Sequence, residues 1–239
     1  MCALPLEKEI EYPTSDGQPM AETTLHRKVM SDLIGGLERR YADAPDVWVG
    51  GNLFLYYREG EPDKVAPDVL LARGVEKRDR DTYLLWEEKP PALIFEITSR
   101  WTRGEDTGDK KDLYERIGVA ELVLFDPYGE YLKLQRLQGY RLEQGLYRPI
   151  TPNRDGSLDL RTTGVTARPE GKRLRLVDTA SGEKLLWDDE IEAARRTAEK
   201  RAGEEAAARL AAEERAAVAE ERARALAEEL ARLRREPKR

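Results

Sequence analysis

Two carboxylates and one lysine in the middle of the chain could act together on a phosphodiester. Asp68 opens the apolar run PDVLLA, Glu96 stands inside the run PALIFEITSRWT, and Lys110 follows in a charged segment with helical spacing. Phosphodiester hydrolysis needs a metal ion that neutralises charge and lowers the pKa of the attacking water. Mg²⁺ takes oxygen ligands and usually one or two carboxylates. The three residues therefore predict a site for Mg²⁺ (or Mn²⁺) and a phosphodiesterase reaction.

Glu96 is the most informative of the three residues because apolar residues flank it. An unpaired carboxylate in such a position is costly. A bound metal would offset the cost, and so would a salt bridge with Lys110 or Arg116; the residues alone leave both open. In the metal hypothesis the backbone carbonyl of Ile97 supplies a third oxygen ligand. A lysine beside the attacking water would orient it and stabilise charge in the transition state.

Other polar residues are weaker candidates. Asp46 and Asp63 also follow prolines, but the first is expected in a loop or at a sheet edge and the second in a solvated turn. The stretch 87–89, Glu-Glu-Lys, precedes two prolines and is predicted to be a solvated loop. His26, the single histidine, is expected to pack or cap on its helix, with general base as the alternative. One histidine and the lone Cys2 argue against a zinc site.

The apolar patterns predict the order helix, strand, strand, strand, helix, strand. Leu25, Val29, Leu33 and Leu37 recur every four residues, which is typical of an amphipathic helix. A helix joins the last two strands, so these are expected to be parallel. Alternation over 130–150 predicts a hairpin that widens the sheet. The predicted ranges are helix 21–41, strands 47–57, 65–72 and 92–98, helix 109–117 and strand 121–126. The first strand is expected to be interrupted at 50–52, Gly-Gly-Asn, by a bulge or a turn. A loop that could contain a short helix is predicted at 74–88, and further short strands over 151–187.

The composition changes near residue 188, where Ala, Glu and Arg begin to dominate. The sequence predicts an irregular segment 1–20, a folded domain 21–187 and one long helix within 188–239. The helix carries a heptad seam, which favours a coiled coil and a homodimer; a single solvated helix with Glu–Arg pairs is the alternative. The seam consists of Ala212, Ala216, Ala219, Ala223, Leu226, Leu230 and Leu233.

Bulk composition excludes several classes of protein. The chain has 239 residues, a formal net charge of -6 and one cysteine, so an internal disulfide is impossible. No apolar run approaches the ~20 residues of a membrane span. We therefore expect a soluble cytoplasmic protein without a membrane partner. Because the whole chain is acidic, binding to nucleic acid would need a local basic patch, and 100–103, Arg-Trp-Thr-Arg, is the candidate.

The central motifs together resemble the Uma-two family of restriction endonucleases, within the PD-(D/E)XK nuclease superfamily. The resemblance covers roughly residues 10–190. It is carried by the strings APDVLL, PALIFEITSRWT and GDKKDLYERIGVAELVLFDP in this order. The matching positions are Asp68, Glu96, Ser99, Thr102, Asp106, Lys110, Tyr114, Gly118, Val119, Glu121, Asp126 and Pro127.

The resemblance implies a restriction-endonuclease-like α/β fold, a mixed sheet core of order αβββαβ with a β extension and the long C-terminal helix. It implies that Asp68 and Glu96 are metal ligands and that Glu22 on the first helix adds a carboxylate. Thr98 stands where the superfamily pattern has lysine. The lysine would have moved to the following helix, with Lys110 as the substitute and Lys111 as the reserve.

Two functional hypotheses follow. The first is a metal-dependent endonuclease that hydrolyses DNA phosphodiester bonds. The second is a catalytically inactive module of the same fold that acts in dimerisation or partner binding through its C-terminal coiled coil. The missing strand lysine and the acidic chain favour the second, whereas the Asp68, Glu96 and Lys110 set favours the first.

Overall fold

The structure is a computed structural model that describes residues 12–14, 23–99, 108–132 and 135–235. The chain divides into two compact units, Met1–Trp187 and Asp188–Arg239. The first unit is a mixed α/β domain and the second is a helix. Glu22 and the stretch 100–103 of the sequence analysis lie outside the described residues.

The first unit contains two helices and twelve strands among the described residues. The helices are α1 (Thr24–Arg40) and α2 (Asp109–Arg116). The strands are β1 (Val47–Gly50), β2 (Phe54–Tyr56), β3 (Lys64–Val65), β4 (Val69–Arg73), β5 (Thr82–Leu84), β6 (Leu93–Ile97), β7 (Glu121–Phe125), β8 (Leu137–Glu143), β9 (Leu146–Pro149), β10 (Leu158–Leu160), β11 (Val165–Glu170) and β12 (Arg173–Asp178).

The central sheet has six strands in the order β1-β4-β6-β7-β8-β9. Strands β6 and β7 are parallel, as the intervening helix predicts, and the other neighbours are antiparallel. Within this sheet the order α1, β1, β4, β6, α2, β7 is the expected αβββαβ core. The hairpin β8–β9 is the predicted extension. The expected fold class is confirmed.

The two faces of the sheet carry separate apolar cores, because side chains alternate along each strand. Leu93, Phe95 and Ile97 of β6 belong to the core that includes α1, whereas Ile94 belongs to the core that includes Tyr114 of α2. Helix α1 begins where the Thr23 hydroxyl accepts a hydrogen bond from the His26 amide, the usual arrangement of an N-cap. The sheet is thus covered on both faces.

Helix α2 ends as the sequence predicts. Its cap residue is Ile117, and Gly118 follows with φ +86°. This left-handed conformation is easy for glycine and costly for most other residues, so the helix stops here. The chain can then turn directly into β7, beside β6.

Two expectations for the first third of the chain need correction. The predicted interruption at 50–52 is present, but it separates two strands, β1 and β2, that belong to different sheets rather than one interrupted strand. The break occurs at Gly51, where an added Cβ would lie 2.0 Å from the backbone oxygen of Asp68. The predicted loop 74–88 contains β5, which pairs with β2 in parallel. Tyr83 of β5 is fully buried, and this burial explains why a polar stretch forms a strand.

A third sheet, β10-β11-β12, packs against α1. Arg173 of β12 donates two hydrogen bonds of 2.6 Å to the carboxylate of Asp32 on α1. Arg173 and the fully buried Arg175 both lie over the ring of Trp187. These contacts fix α1 from the side opposite the central sheet.

The second unit is α3 (Asp188–Arg235), a helix of 48 residues. Pairs four residues apart, such as Arg195–Glu199 and Arg209–Glu213, lie along its surface. Its Leu210, Leu226 and Leu230 side chains are exposed. Among the described residues no helix is long and apolar enough to cross a membrane.

Asp178, the last residue of β12, leads to a prediction about how stability depends on pH. Hydrogen bonds from the Ser181 amide and the Arg40 guanidinium hold the pKa of the Asp178 carboxyl well below its usual range. The resulting stabilisation is complete above the pKa of unfolded aspartate, about 3.9. It is lost as the pH falls toward the lowered pKa of the folded protein. Asp178→Asn should therefore lower the free energy of unfolding at neutral pH, and the difference from wild type should shrink in acid.

Urea denaturation of both proteins at about pH 7 and about pH 3 measures this difference on either side of the unfolded pKa. Asp43→Asn, at an exposed position, is the control and should stay close to wild type. An equal deficit of Asp178→Asn at both pH values would contradict the prediction.

Candidate active site

The register of β4 against β6 brings the two predicted carboxylates together. Val69 pairs with Phe95, so one further step along the same register places Asp68 opposite Glu96. Directly opposed residues of an antiparallel pair have Cβ atoms about 4.5–5.5 Å apart. Both residues lie at the edge of the sheet where β4 begins and β6 ends.

Asp68 is oriented by a strand and a helix. Its Oδ2 accepts a hydrogen bond of 2.6 Å from the backbone N–H of Ile97. Its Oδ1 lies 3.1 Å from Nε2 of His26 on α1. His26 is predicted to pack or cap on its helix; it is buried there, and its ring also contacts a predicted metal ligand. The two residues are 42 positions apart in the sequence, which hides this contact, and only the position of His26 in the first turn of α1 hints at it.

Glu96 is buried, with 1% of its side chain exposed, and α2 supplies its partners. Lys110 Nζ lies 2.9 Å from Oε2, and the Tyr114 hydroxyl donates a hydrogen bond of 2.5 Å to Oε1. Lys110 and Tyr114 are four residues apart, so both side chains lie on one helix face. The salt bridge that the sequence left open is therefore formed with Lys110. It gives the buried carboxylate a counter-charge.

Lys111, the reserve candidate, is directed elsewhere. Its Nζ lies 3.8 Å from Asp112 and 5.1 Å from the ring centre of Tyr140. Of the two lysines, Lys110 is the one placed at Glu96. The stretch 87–89 also departs from expectation, because Glu88 is largely buried in an ion pair with Arg80 rather than solvated.

The oxygen atoms at this edge suit a hard divalent cation. The carboxylates of Asp68 and Glu96 are such donors, and Mg²⁺ fills the rest of its coordination shell with water. Continuing the register places Pro67 opposite Ile97, and proline has no N–H that could bond the Ile97 carbonyl. That carbonyl therefore suits the predicted third ligand. No group of three or more His, Cys, Asp or Glu side chains that could hold a metal ion occurs among the described residues.

Thr98 is a polar residue buried beside the candidate site. It follows β6, is 1% exposed, and its Oγ1 is without a hydrogen-bond partner in the described part of the chain. An unpaired buried hydroxyl costs about 1–3 kcal/mol. This is the position at which the resemblance expects lysine, and a threonine cannot supply that positive charge.

Two other acids of the matching pattern have structural roles. Glu121 is fully buried and accepts hydrogen bonds from Arg141, the Arg161 amide and Thr162. Asp126 accepts four backbone N–H bonds from the loop that follows β7. Both carboxylates therefore hold loops of their own chain in place.

Comparison with known proteins identifies relatives of this chain. Residues 1–166 match the family model Uma2, whose description is "Putative restriction endonuclease". The search of curated proteins gave no match. The structure is similar to a crystal structure described as "a putative nuclease belonging to DUF820" from Anabaena variabilis, with 15% identity, a TM-score of 0.43, and coverage of 59% of this chain and 73% of that chain. The family model places the chain among nucleases, as the sequence predicts.

The buried pair leads to a stability prediction. Lys110→Met removes the cation beside a buried carboxylate and should lower the free energy of unfolding by about 3 kcal/mol. Adding Glu96→Gln removes the charge and should restore much of the loss. Urea denaturation of wild type, both single variants and the double variant measures the coupling energy. A Lys110→Met protein as stable as wild type would show that the pair contributes nothing.

Proposed function

Since the chain belongs to the Uma2 family, we propose that it is a metal-dependent endonuclease that hydrolyses phosphodiester bonds in DNA. One observation carries the proposal: the β4–β6 register sets Asp68 opposite Glu96, and Lys110 lies within 2.9 Å of Glu96. Two carboxylates and one cation at a sheet edge are the groups that such a reaction needs.

In this proposal Mg²⁺ (or Mn²⁺) is held by Asp68, Glu96 and the carbonyl of Ile97. A bound ion neutralises phosphate charge and lowers the pKa of its water. The protein's part is orientation. The Ile97 amide and His26 fix the Asp68 carboxylate, and Tyr114 fixes that of Glu96. Glu22 stays a candidate for an additional carboxylate.

Lys110 is the proposed electrostatic catalyst. Its ammonium is held at Glu96 by α2 and is 18% exposed, so it is accessible from solvent. A fixed cation beside the phosphate stabilises the charge that develops in the transition state. The lysine would thus act from a helix, while the strand position next to Glu96 and Ile97 is occupied by Thr98.

DNA is the proposed substrate although the chain is acidic. The net charge of -6 gives no long-range attraction to phosphate, so binding depends on local groups. Arg100 and Arg103, with Trp101 between them, remain the sequence's candidates for phosphate contacts.

The alternative function is a catalytically inactive nuclease-fold module that acts through α3. The ion pair between Lys110 and Glu96 favours it, because such a pair can have a purely structural role. The exposed Leu226 and Leu230 on the heptad seam favour it too, with 60% and 56% exposure. A homodimer through a coiled coil is compatible with either function.

The first experiment measures nicking of supercoiled plasmid with Mg²⁺ or Mn²⁺. Wild type should nick the plasmid, and EDTA should stop it. Glu96→Gln, Asp68→Asn and Lys110→Ala should each lower the rate by a factor of about 100 or more, as expected for loss of a metal ligand or of an electrostatic contact in the transition state.

Asp46→Ala is the matched control, since Asp46 also follows a proline but is exposed and away from the pair. It should nick at the wild-type rate. If wild type is as inactive as Glu96→Gln with every substrate and salt tested, the endonuclease proposal fails and the inactive module is favoured.

The dimer is tested by the mass of the full chain in solution. Wild type should sediment as a dimer, and Leu226→Asp combined with Leu230→Asp should sediment as a monomer, because charges at seam positions are costly to bury. Leu210→Asp, exposed but off the seam, should leave the dimer intact. A wild-type monomer at micromolar concentration, or equal effects of the seam and control variants, would overturn the coiled coil.

A further inference from the structure

A cleft of about 250 Å³ lies beside the candidate active site. Its lining includes His26, Ile97, Thr98, Pro127, Tyr128 and Tyr131. His26 and Ile97 also hold the Asp68 carboxylate, so the cleft and the proposed metal site share a wall. The cleft opens where the parallel strands β6 and β7 end, the edge at which ligands bind in many α/β proteins.

One polar atom in this lining is unexplained by the fold. The Thr98 hydroxyl is buried and lacks a hydrogen-bond partner among the described residues. Buried hydroxyls in folded proteins are nearly always bonded. A ligand in the cleft that carries a donor or an acceptor would satisfy this atom.

The opposite wall is aromatic and rigidly held. Tyr128 and Tyr131 pack edge to face with ring centres 6.1 Å apart, and Tyr128 is 41% exposed. The Asp126 carboxylate fixes their loop, since it accepts the backbone N–H groups of both tyrosines. An exposed aromatic ring on a fixed loop is a ready surface for stacking.

A cation lies next to this wall. Lys172 Nζ is 4.9 Å from the ring centre of Tyr128, and the Lys172 side chain is exposed. An unpaired hydroxyl and an aromatic ring thus line the cleft, and an ammonium group lies beside that ring. A nucleotide has a group for each: the polar edge of the base, its flat face and its phosphate.

We propose that the cleft binds one unpaired nucleobase of the DNA strand that is cut. The base stacks on Tyr128, its edge bonds the Thr98 hydroxyl, and a neighbouring phosphate contacts Lys172. The cleft is somewhat smaller than the ~300–1,000 Å³ of pockets for drug-sized ligands, so it suits a single base and excludes a duplex. This inference rests on the proposed function and makes single-stranded or locally unpaired DNA the substrate.

The test is a binding assay with the full-length chain in EDTA, so that no cleavage is needed. The probe is a short single-stranded oligodeoxynucleotide with one 2-aminopurine, compared with the same strand in a duplex. Wild type should bind the single strand more tightly and quench its fluorescence. Tyr128→Ala should weaken binding roughly five- to a hundredfold, the range for loss of one base–aromatic stack, and Tyr128→Phe should bind like wild type.

Phe54→Ala is the matched control. Phe54 forms a similar pair with Lys64, at 4.3 Å, but does not line the cleft. Its loss should leave binding unchanged. If Tyr128→Ala binds like wild type, or if the duplex binds as tightly as the single strand, the inference is overturned.

Thr98 offers a second readout that packing alone would not give. Thr98→Val keeps the shape but removes the unpaired hydroxyl, so the free protein should be as stable as wild type or more stable. The same variant should bind the oligonucleotide several-fold more weakly, and Thr98→Ser should retain binding. If Thr98→Val binds the oligonucleotide as tightly as wild type, the Thr98 hydroxyl does not contact the bound base.

The two proposals fail separately. Glu96→Gln should abolish nicking and still bind the probe. Quenching by wild type without any nicking would leave the base site standing and overturn only the endonuclease. Nicking by wild type without tighter binding of the single strand would support the endonuclease and overturn the base site.

Discussion

The antiparallel register between β4 and β6 is the constraint on which the site depends. It sets Asp68 opposite Glu96, and a slip of one residue would turn one of them to the other face of the sheet. The Pro67 carbonyl accepts a hydrogen bond from the Asn52 amide, and the Ile97 amide bonds the Asp68 side chain. One short pairing therefore fixes the separation of the carboxylates and the direction of one of them.

The helix residues that contact the two carboxylates come from opposite faces of the sheet. Helix α1 covers one face and brings His26 to Asp68, while α2 covers the other face and brings Lys110 and Tyr114 to Glu96. The buried charge of Glu96 is paired rather than isolated, so it is compatible with the apolar core around β6. The catalytic and the inactive hypotheses differ in whether the site around this pair also binds a metal and a substrate.

The sequence predicted the parts of this arrangement that depend on local pattern. Buried strands, the helical spacing of α2 and the glycine that ends it are encoded within a few residues of each other, and together they predicted that Asp68, Glu96 and Lys110 lie near one another. Contacts between distant segments could not be derived in this way. The contact of His26 with Asp68 spans 42 residues. The strand around Tyr83 forms only because tertiary burial overrides a polar sequence. The metal, Glu22 and the dimer stay predictions.

Gly51 has a consequence for judging relatives by their motifs. Glycine is needed here because there is no room for a side chain, not because of a left-handed backbone. A Cβ at this position would lie 2.0 Å from the carbonyl oxygen of Asp68 and 3.1 Å from Ile34. Any side chain here would push the Asp68 backbone out of place. A homologue could thus retain every acid and lysine of the signature and still have a displaced Asp68. Among divergent relatives, the charged residues alone do not show whether this arrangement is kept, so the residue at this glycine position should be examined as well.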